Sequence, residues 1–231
     1  MNNKVETPSA KKIYFWNLLG NLAASGVSVL YLLIVTRLTS ASIADQFSLI
    51  WSIGTLWVVI GLFQVRNFHG TDVRQKYSFR SYFQARILTN LVMIVTLFPY
   101  LQIVGGGRYS ASIISLTYLM ILYRAWDSIS DLFQGLFQQR ERMDIAGRAM
   151  FYRYSTSAVI LFLALFFSNS LLIALISLVM WNALFIIFYE LPFVYQFESF
   201  KWVEILNLKD LSEAMNILKD CFPLFLNGFM C

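Results

Sequence analysis

Six long runs of apolar residues constrain this 231-residue chain more than any other feature. All of the runs except the fifth are close to the roughly 20 residues that a helix needs to cross about 30 Å of hydrocarbon. The runs are continuous rather than alternating, which predicts membrane helices and not a β-barrel. The sequence therefore predicts an all-α membrane protein with a six-helix transmembrane bundle. The expected spans are Ile13–Val35, Phe47–Val65, Ile87–Val104, Ala111–Ile129, Ser155–Phe167 and Leu171–Tyr189.

The fifth run is short, and we expect its helix to start near Met150 and to reach the sixth through a turn at Ser168–Ser170. Composition agrees with a membrane protein, because 58% of the residues are hydrophobic and only 13% are charged. Average soluble domains carry about 25% charged residues. These values exclude a disordered chain and an ordinary soluble domain.

The 18 lysines and arginines are distributed unevenly between the two sides of the predicted bundle. Three lie in the N-terminal tail, five after the second run, four after the fourth and three after the sixth, whereas the alternate loops hold only Arg37 and Arg108. The positive-inside rule then places the N-terminus in the cytoplasm of a multi-pass protein of the cell membrane. This distribution explains the net charge of +5 without a nucleic-acid partner.

The C-terminal part divides into two expected segments. Residues 193–220 form an amphipathic connector on the cytoplasmic face, in which apolar residues recur at helical spacing. These residues are Trp202, Ile205, Leu206, Leu208, Leu211, Met215 and Leu218. Residues 221–231 begin another apolar stretch that is too short to cross, which we interpret as the truncated start of a seventh span. Residues 1–12 are a polar tail, and 13–192 hold the six spans.

The fourth run carries the strongest functional signal, since ionisable residues inside spans usually mark a substrate or ion pathway. Arg124, Asp127 and Asp131 are spaced three and four apart, so they share one helix face. A cavity-facing role and an internal ion pair that only locks the helix are both open interpretations. The first run carries a milder stripe that begins with Asn17 and Asn21, which serves either as a cavity lining or as helix–helix hydrogen bonds.

Reactive-site motifs are absent from the sequence, and we expect neither an enzyme nor a bound cofactor or metal. His69, the only histidine, is expected in a cytoplasmic loop, and one histidine cannot build a metal site. Cys221 and Cys231 are too few for a disulfide framework. Glu190 and Pro192 are interpreted as a helix stop, and Arg37 and Arg66 as residues that snorkel at helix ends.

Four segments resemble the polysaccharide-flippase (Wzx-like) branch of the multidrug/oligosaccharidyl-lipid/polysaccharide exporter superfamily. They are NLLGNLAASGVSVLYLLIVTR (Asn17–Arg37), RNFHGTDVRQKYSFRSYFQAR (Arg66–Arg86), YRAWDSISDLFQGLFQQRERMDIAG (Tyr123–Gly147) and KDCFPLFLNGF (Lys219–Phe229). The resemblance implies that the chain is the first of two six-helix lobes that face each other across a central cavity. It stops at the opening of the seventh helix, where family members continue.

The resemblance also implies a function: moving an undecaprenyl-pyrophosphate-linked oligosaccharide repeat unit from the inner to the outer leaflet. Arg124 would then hold the pyrophosphate, Arg37 and Arg66 would assist near the gates, and Asp127 or Asp131 would carry a coupling proton or tune Arg124. Expected partners are membrane lipids, the lipid-linked oligosaccharide, and a second transporter lobe or polysaccharide-assembly proteins.

Three other functions compete with this interpretation. A drug or organic-cation exporter of the same superfamily would need exposed acidic or aromatic groups in its cavity. A membrane transferase would need a reactive pair, for which His69 and Asp72 are the only combination. The chain can also be an inactive remnant, or half of a complex that requires a second lobe.

Overall fold

The computed structural model describes residues 8–72, 74–201, 205 and 211–230, and every regular element in this part of the chain is a helix. This confirms the predicted all-α class. The helices are α1 (Ala10–Leu38), α2 (Ala41–Leu62), α3 (Val65–Thr71), α4 (Phe79–Gly105), α5 (Ala111–Gln139), α6 (Met143–Ser168), α7 (Leu171–Phe185), a π-helical turn (Ile186–Glu190), α8 (Leu191–Phe197) and α9 (Ser212–Met230).

Five helices of the described chain are long and apolar enough to cross a membrane: α1, α2, α4, α6, and α7 continued through the π-helical turn and α8. At most a third of each apolar window is buried inside the protein. The large side chains on the remaining surface, such as Val95, Phe166 and Phe188, point outward. An outward apolar surface of this extent fits lipid and not water, so the chain has the features of a multi-pass membrane protein.

By length and apolar composition the described chain has five candidate spans and not the predicted six, because α5 does not meet these criteria. This helix has 29 residues, but Arg124, Asp127 and Asp131 interrupt its apolar sequence. It packs against α2, α3, α4 and α7, so much of its polar face is covered by other helices. Helix α5 is therefore the polar centre of the bundle.

The pairing of helices leaves one side of the bundle open. Helix α1 packs mainly on α6, whereas its contact with α2 is sparse. Gly20 and Gly147 allow the α1 and α6 backbones to touch, since a Cβ atom on Gly147 would lie 2.2 Å from the carbonyl oxygen of Trp16. Helix α2 packs instead on α5 and α4. A groove therefore remains between α1 and α2.

Helix α2 ends earlier than predicted, at Leu62 rather than Val65, because two residues interrupt the helix. Phe63 and Gln64 both adopt the left-handed conformation, with φ of 41° and 56°. The break frees backbone carbonyls, and Arg86 Nη1 donates to those of Gly61 and Leu62 at 2.6 and 2.7 Å. Helix α4 starts at Phe79 and not at the predicted Ile87, so Arg86 lies within this helix.

Two predicted boundaries near the C-terminus do not coincide with helix ends. The sixth apolar helix continues past 192 as α8 to Phe197, and α9 runs through position 221 without a break. Lys76 donates to Asp220 of α9 at 2.9 Å, which holds the pKa of that carboxyl below its ordinary value. Trp202, Leu206 and Leu208 of the expected connector lie outside the described residues, so the connector remains a prediction there.

Candidate functional site

An open groove of about 680 Å³ lies between α1 and α2, with α5 behind it. Its walls are largely apolar or hydroxyl-bearing, and Arg124 is the charged side chain among the lining residues that the structure describes. The lining residues are Ala24, Val27, Ser28, Trp51, Ser52, Thr55, Leu56, Val59 and Arg124. The groove is therefore a pocket within the apolar part of the bundle that offers one cation and several hydroxyl groups.

Arg124 is held in a defined position at the edge of this groove. Its guanidinium lies 4.1 Å from the centre of the Trp51 ring and donates from Nη2 to the Thr55 hydroxyl at 2.8 Å. Its Nη1 donates to Asp127 at 3.1 Å, one turn further along α5. The side chain is 11% exposed, and its Nε has no hydrogen-bond partner within the described chain. Arg124 is thus an oriented cation, and because Nε is enclosed, its terminal Nη groups are the donors that can reach a ligand.

Asp127 connects Arg124 to a second arginine that is fully buried. Arg153 of α6 donates from Nη1 to the other carboxylate oxygen of Asp127 and to the Asn182 amide oxygen, the latter at 3.1 Å. Arg153 Nε also lies 3.6 Å from Oε1 of Glu190. The four charged side chains form one chain of contacts in the order Arg124, Asp127, Arg153 and Glu190, which we call the charge chain. Buried charges of this kind persist only when paired.

Asp131, the other carboxylate of the α5 stripe, belongs to a separate network. It contacts Arg86 at 2.9 Å and Arg66 at 3.4 Å. Arg66, which lies in the first turn of α3, also donates to Gln134 at 2.8 Å. Because Arg86 caps the α2 break, this network ties the break to α5. The shared face predicted for α5 exists, but its two aspartates serve two different arginine pairs.

The remaining predicted site residues do not line the groove. Asn21 donates its amide to the backbone and side-chain oxygens of Asn17 at 2.7 and 3.0 Å, so these two bind each other near the start of α1. Arg37 is exposed in the last turn of α1. Of the expected site residues, Arg124 contacts Asp127, and Arg66 contacts Asp131. Arg37 and the Asn17–Asn21 pair lie apart from both of these networks.

Three important residues were missed or misinterpreted from the sequence. Arg86 is among the five basic residues assigned to the loop after the second run and Arg153 among the four assigned after the fourth, yet both are fully buried inside helices α4 and α6. Glu190 was interpreted as a helix stop, although it is 1% exposed and ends the π-helical turn. The helix start expected near Met150 already puts Arg153 in the first turn of the fifth helix, and the observed start at Met143 places it in the helix interior.

His69 lies on the short helix α3 rather than in a loop. Its ring is stacked on Tyr82 with centroids 4.2 Å apart and is 1% exposed. Burial lowers the pKa of His69 to about 4. An enclosed neutral imidazole has no access to a substrate, which disfavours the transferase with His69 and Asp72. Within the described residues, no group of three or more His, Cys, Asp or Glu side chains has a metal-binding arrangement.

The fold and the charged site together define a class: an all-helical, multi-pass membrane protein with ionised residues inside its helix bundle. Compared with family models, curated proteins and solved structures, the chain has no match in any of the three.

Proposed function

We propose that this chain is one lobe of a cell-membrane transporter that moves a lipid-linked oligosaccharide outward, and that the groove beside Arg124 receives the pyrophosphate. In this proposal the N-terminus is cytoplasmic, α5 is the fourth of six spans, and a second lobe closes the open side of the groove. The resemblance to Wzx-like flippases suggested the cargo.

The observation that carries the proposal is the exposure of an oriented guanidinium to an open groove within a membrane bundle. A pyrophosphate cannot cross hydrocarbon without replacing the hydrogen bonds that water supplies, and each lost bond costs kilocalories per mole. Arg124 offers charge-assisted hydrogen bonds, and Ser28, Ser52 and Thr55 place hydroxyl groups around it. The open side between α1 and α2 leaves room for a lipid tail.

An organic cation fits the groove less well. The charged side chain that the structure shows there, Arg124, is itself cationic. Its guanidinium lies over the Trp51 ring, which would otherwise attract a cationic drug. No observation favours the drug-exporter alternative, so we keep it as an outcome of the test.

The proposal is tested by binding of undecaprenyl pyrophosphate to the full chain in lipid nanodiscs, followed through tryptophan fluorescence because Trp51 lines the groove. Hydrogen bonds to charged groups contribute about 1.5–3 kcal/mol, so Arg124→Ala should weaken binding roughly 10–150-fold. Arg108→Ala removes the same charge from an exposed outer turn and should leave binding unchanged.

Equal binding by the wild-type and Arg124→Ala chains would overturn the proposal. So would binding of cationic dyes with no affinity for the pyrophosphate lipid. When a second lobe is supplied, we also expect Arg124→Ala to abolish polysaccharide export although the protein still inserts into the membrane.

A further inference from the structure

A buried carboxylate oxygen in the charge chain accepts no hydrogen bond from the part of the chain that the structure describes. Glu190 Oε1 accepts from Ser130 Oγ at 2.9 Å, whereas Oε2 is fully enclosed and receives no donor from the described residues. An unpaired buried polar atom is rare in folded proteins and calls for an explanation such as a functional role. The π-helical turn that presents Glu190 is also a feature that occurs frequently at functional sites.

The groups around Glu190 leave this oxygen as the place where the network can take a proton. Helix α5 contributes Asp127 and the Ser130 donor, and α6 contributes Arg153. The neutral Asn182 of α7 binds Arg153, and the neighbouring Tyr189 packs on Tyr152, Phe185 and Phe193. Asp127 binds two arginines, and Asp131 binds two others. Among the described residues Glu190 has a single cationic neighbour, Arg153 at 3.6 Å, which is beyond hydrogen-bond distance.

We propose that Glu190 is a proton-binding site whose occupancy is linked, through Arg153 and Asp127, to anion binding at Arg124. This inference rests on the proposed function, because it deepens the role of the same groove. Protonation at Oε2 neutralises the carboxylate that competes with Asp127 for Arg153. Asp127 then interacts more with Arg153 and less with Arg124, and the Arg124 guanidinium is freer to bind an anion.

The linkage is reciprocal, as thermodynamics requires. An anion that draws Arg124 away from Asp127 leaves Asp127 to Arg153, which weakens the hold of Arg153 on Glu190 and favours proton uptake there. The anion and the proton therefore bind together. In a transport step, the proton would offset one negative charge of the cargo within the membrane.

Sulfate is the suitable probe, since its charge does not change between neutral and mildly acidic pH. The affinity of the full chain in nanodiscs should rise about tenfold as the pH falls, a typical size for coupling between sites. Glu190→Gln fixes the neutral state, so its affinity should equal the low-pH value at every pH. The control Glu198→Gln removes a partly exposed carboxylate that is paired with Arg140, and it should keep the wild-type pH dependence.

Infrared spectroscopy tests the proton site without any anion. Lowering the pH should produce the C=O stretch of a protonated carboxylic acid, and Glu190→Gln should remove this band. Absence of the band in the wild type overturns the linkage even where sulfate binds. A band with pH-independent sulfate binding overturns it as well. A band without sulfate binding at any pH refutes the anion site of the proposed function together with the linkage.

Discussion

The exchange Asp127→Asn removes one charge from the centre of the charge chain. Asp127 is the shared partner of Arg124 and Arg153, and it is 8% exposed. The amide keeps the shape but only one oxygen acceptor, so the change removes the negative charge and also one of the two hydrogen bonds from arginine. Afterwards Arg153, which is fully buried, has only Glu190 at 3.6 Å as an acidic neighbour in the described chain.

The distances give the size of the expected effect. Two unit charges 3.1 Å apart, the Arg124–Asp127 separation, attract each other by about 5 kcal/mol at an effective dielectric constant near 20. Relief of the desolvation of Asp127 offsets part of this loss. Removing one partner of a buried pair typically costs about 3–5 kcal/mol, because the other charge stays buried. For a chain of this size that corresponds to a melting temperature lower by about 6–20 °C.

The assay is thermal unfolding in detergent micelles, with Ser128→Ala as the matched variant on the adjacent residue. Ser128 is also buried, and it donates to Asn90 at 2.6 Å, so its loss should cost only about 1–3 kcal/mol. We expect the same order in transport measured with a second lobe. Equal losses for the two variants would refute the reasoning, since Asp127 would then be one hydrogen-bonding residue among others.

Two further predictions concern packing and pH. Gly147→Ala should lower the stability of the folded protein by about 1–3 kcal/mol, because its Cβ would meet the Trp16 backbone. The control Gly26→Ala has open space around it and should be neutral or stabilising by up to about 1 kcal/mol. Thermal melting of both variants checks this, and equal effects would contradict the close α1–α6 contact. Because the pKa of His69 is lowered from 6.5 to about 4 in the folded protein, the unfolded chain binds the proton first as the pH falls, and up to about 3 kcal/mol of stability should be lost between these values. His69→Phe should flatten this loss in melting curves recorded across that range, and an unchanged slope would contradict the assignment.

Several features could be predicted from the sequence because they depend on local chemistry. A helix pairs its backbone N–H and C=O groups within its own segment, so a long apolar run predicts a membrane helix whatever its neighbours are. The Ser168–Ser170 turn follows in the same way, and the structure ends α6 at Ser168 and starts α7 at Leu171. The pairing of Arg124 with Asp127 also follows from the sequence, because charges three residues apart inside an apolar run lie on one helix face.

Other features depended on which helices meet. Arg86 and Arg153 resemble loop charges in the sequence, since nothing local shows that Asp131 and Asp127 of another helix come to neutralise them. The break falls at Phe63 and Gln64, which are neither glycine nor proline although Gly61 stands two residues earlier, and it persists where Arg86 reaches the freed carbonyls.

The sequence by itself determined that the outer surface is apolar and fits lipid, that the fold is all-helical, and which helix carries the polar face. It could do so because hydrophobicity and helical spacing act within one segment. Only the tertiary structure decided which charges pair, which arginine faces the groove and which carboxylate oxygen accepts no hydrogen bond within the described residues. The physical reason is that a buried charge is stabilised by groups distant in sequence, and their identity follows from helix packing.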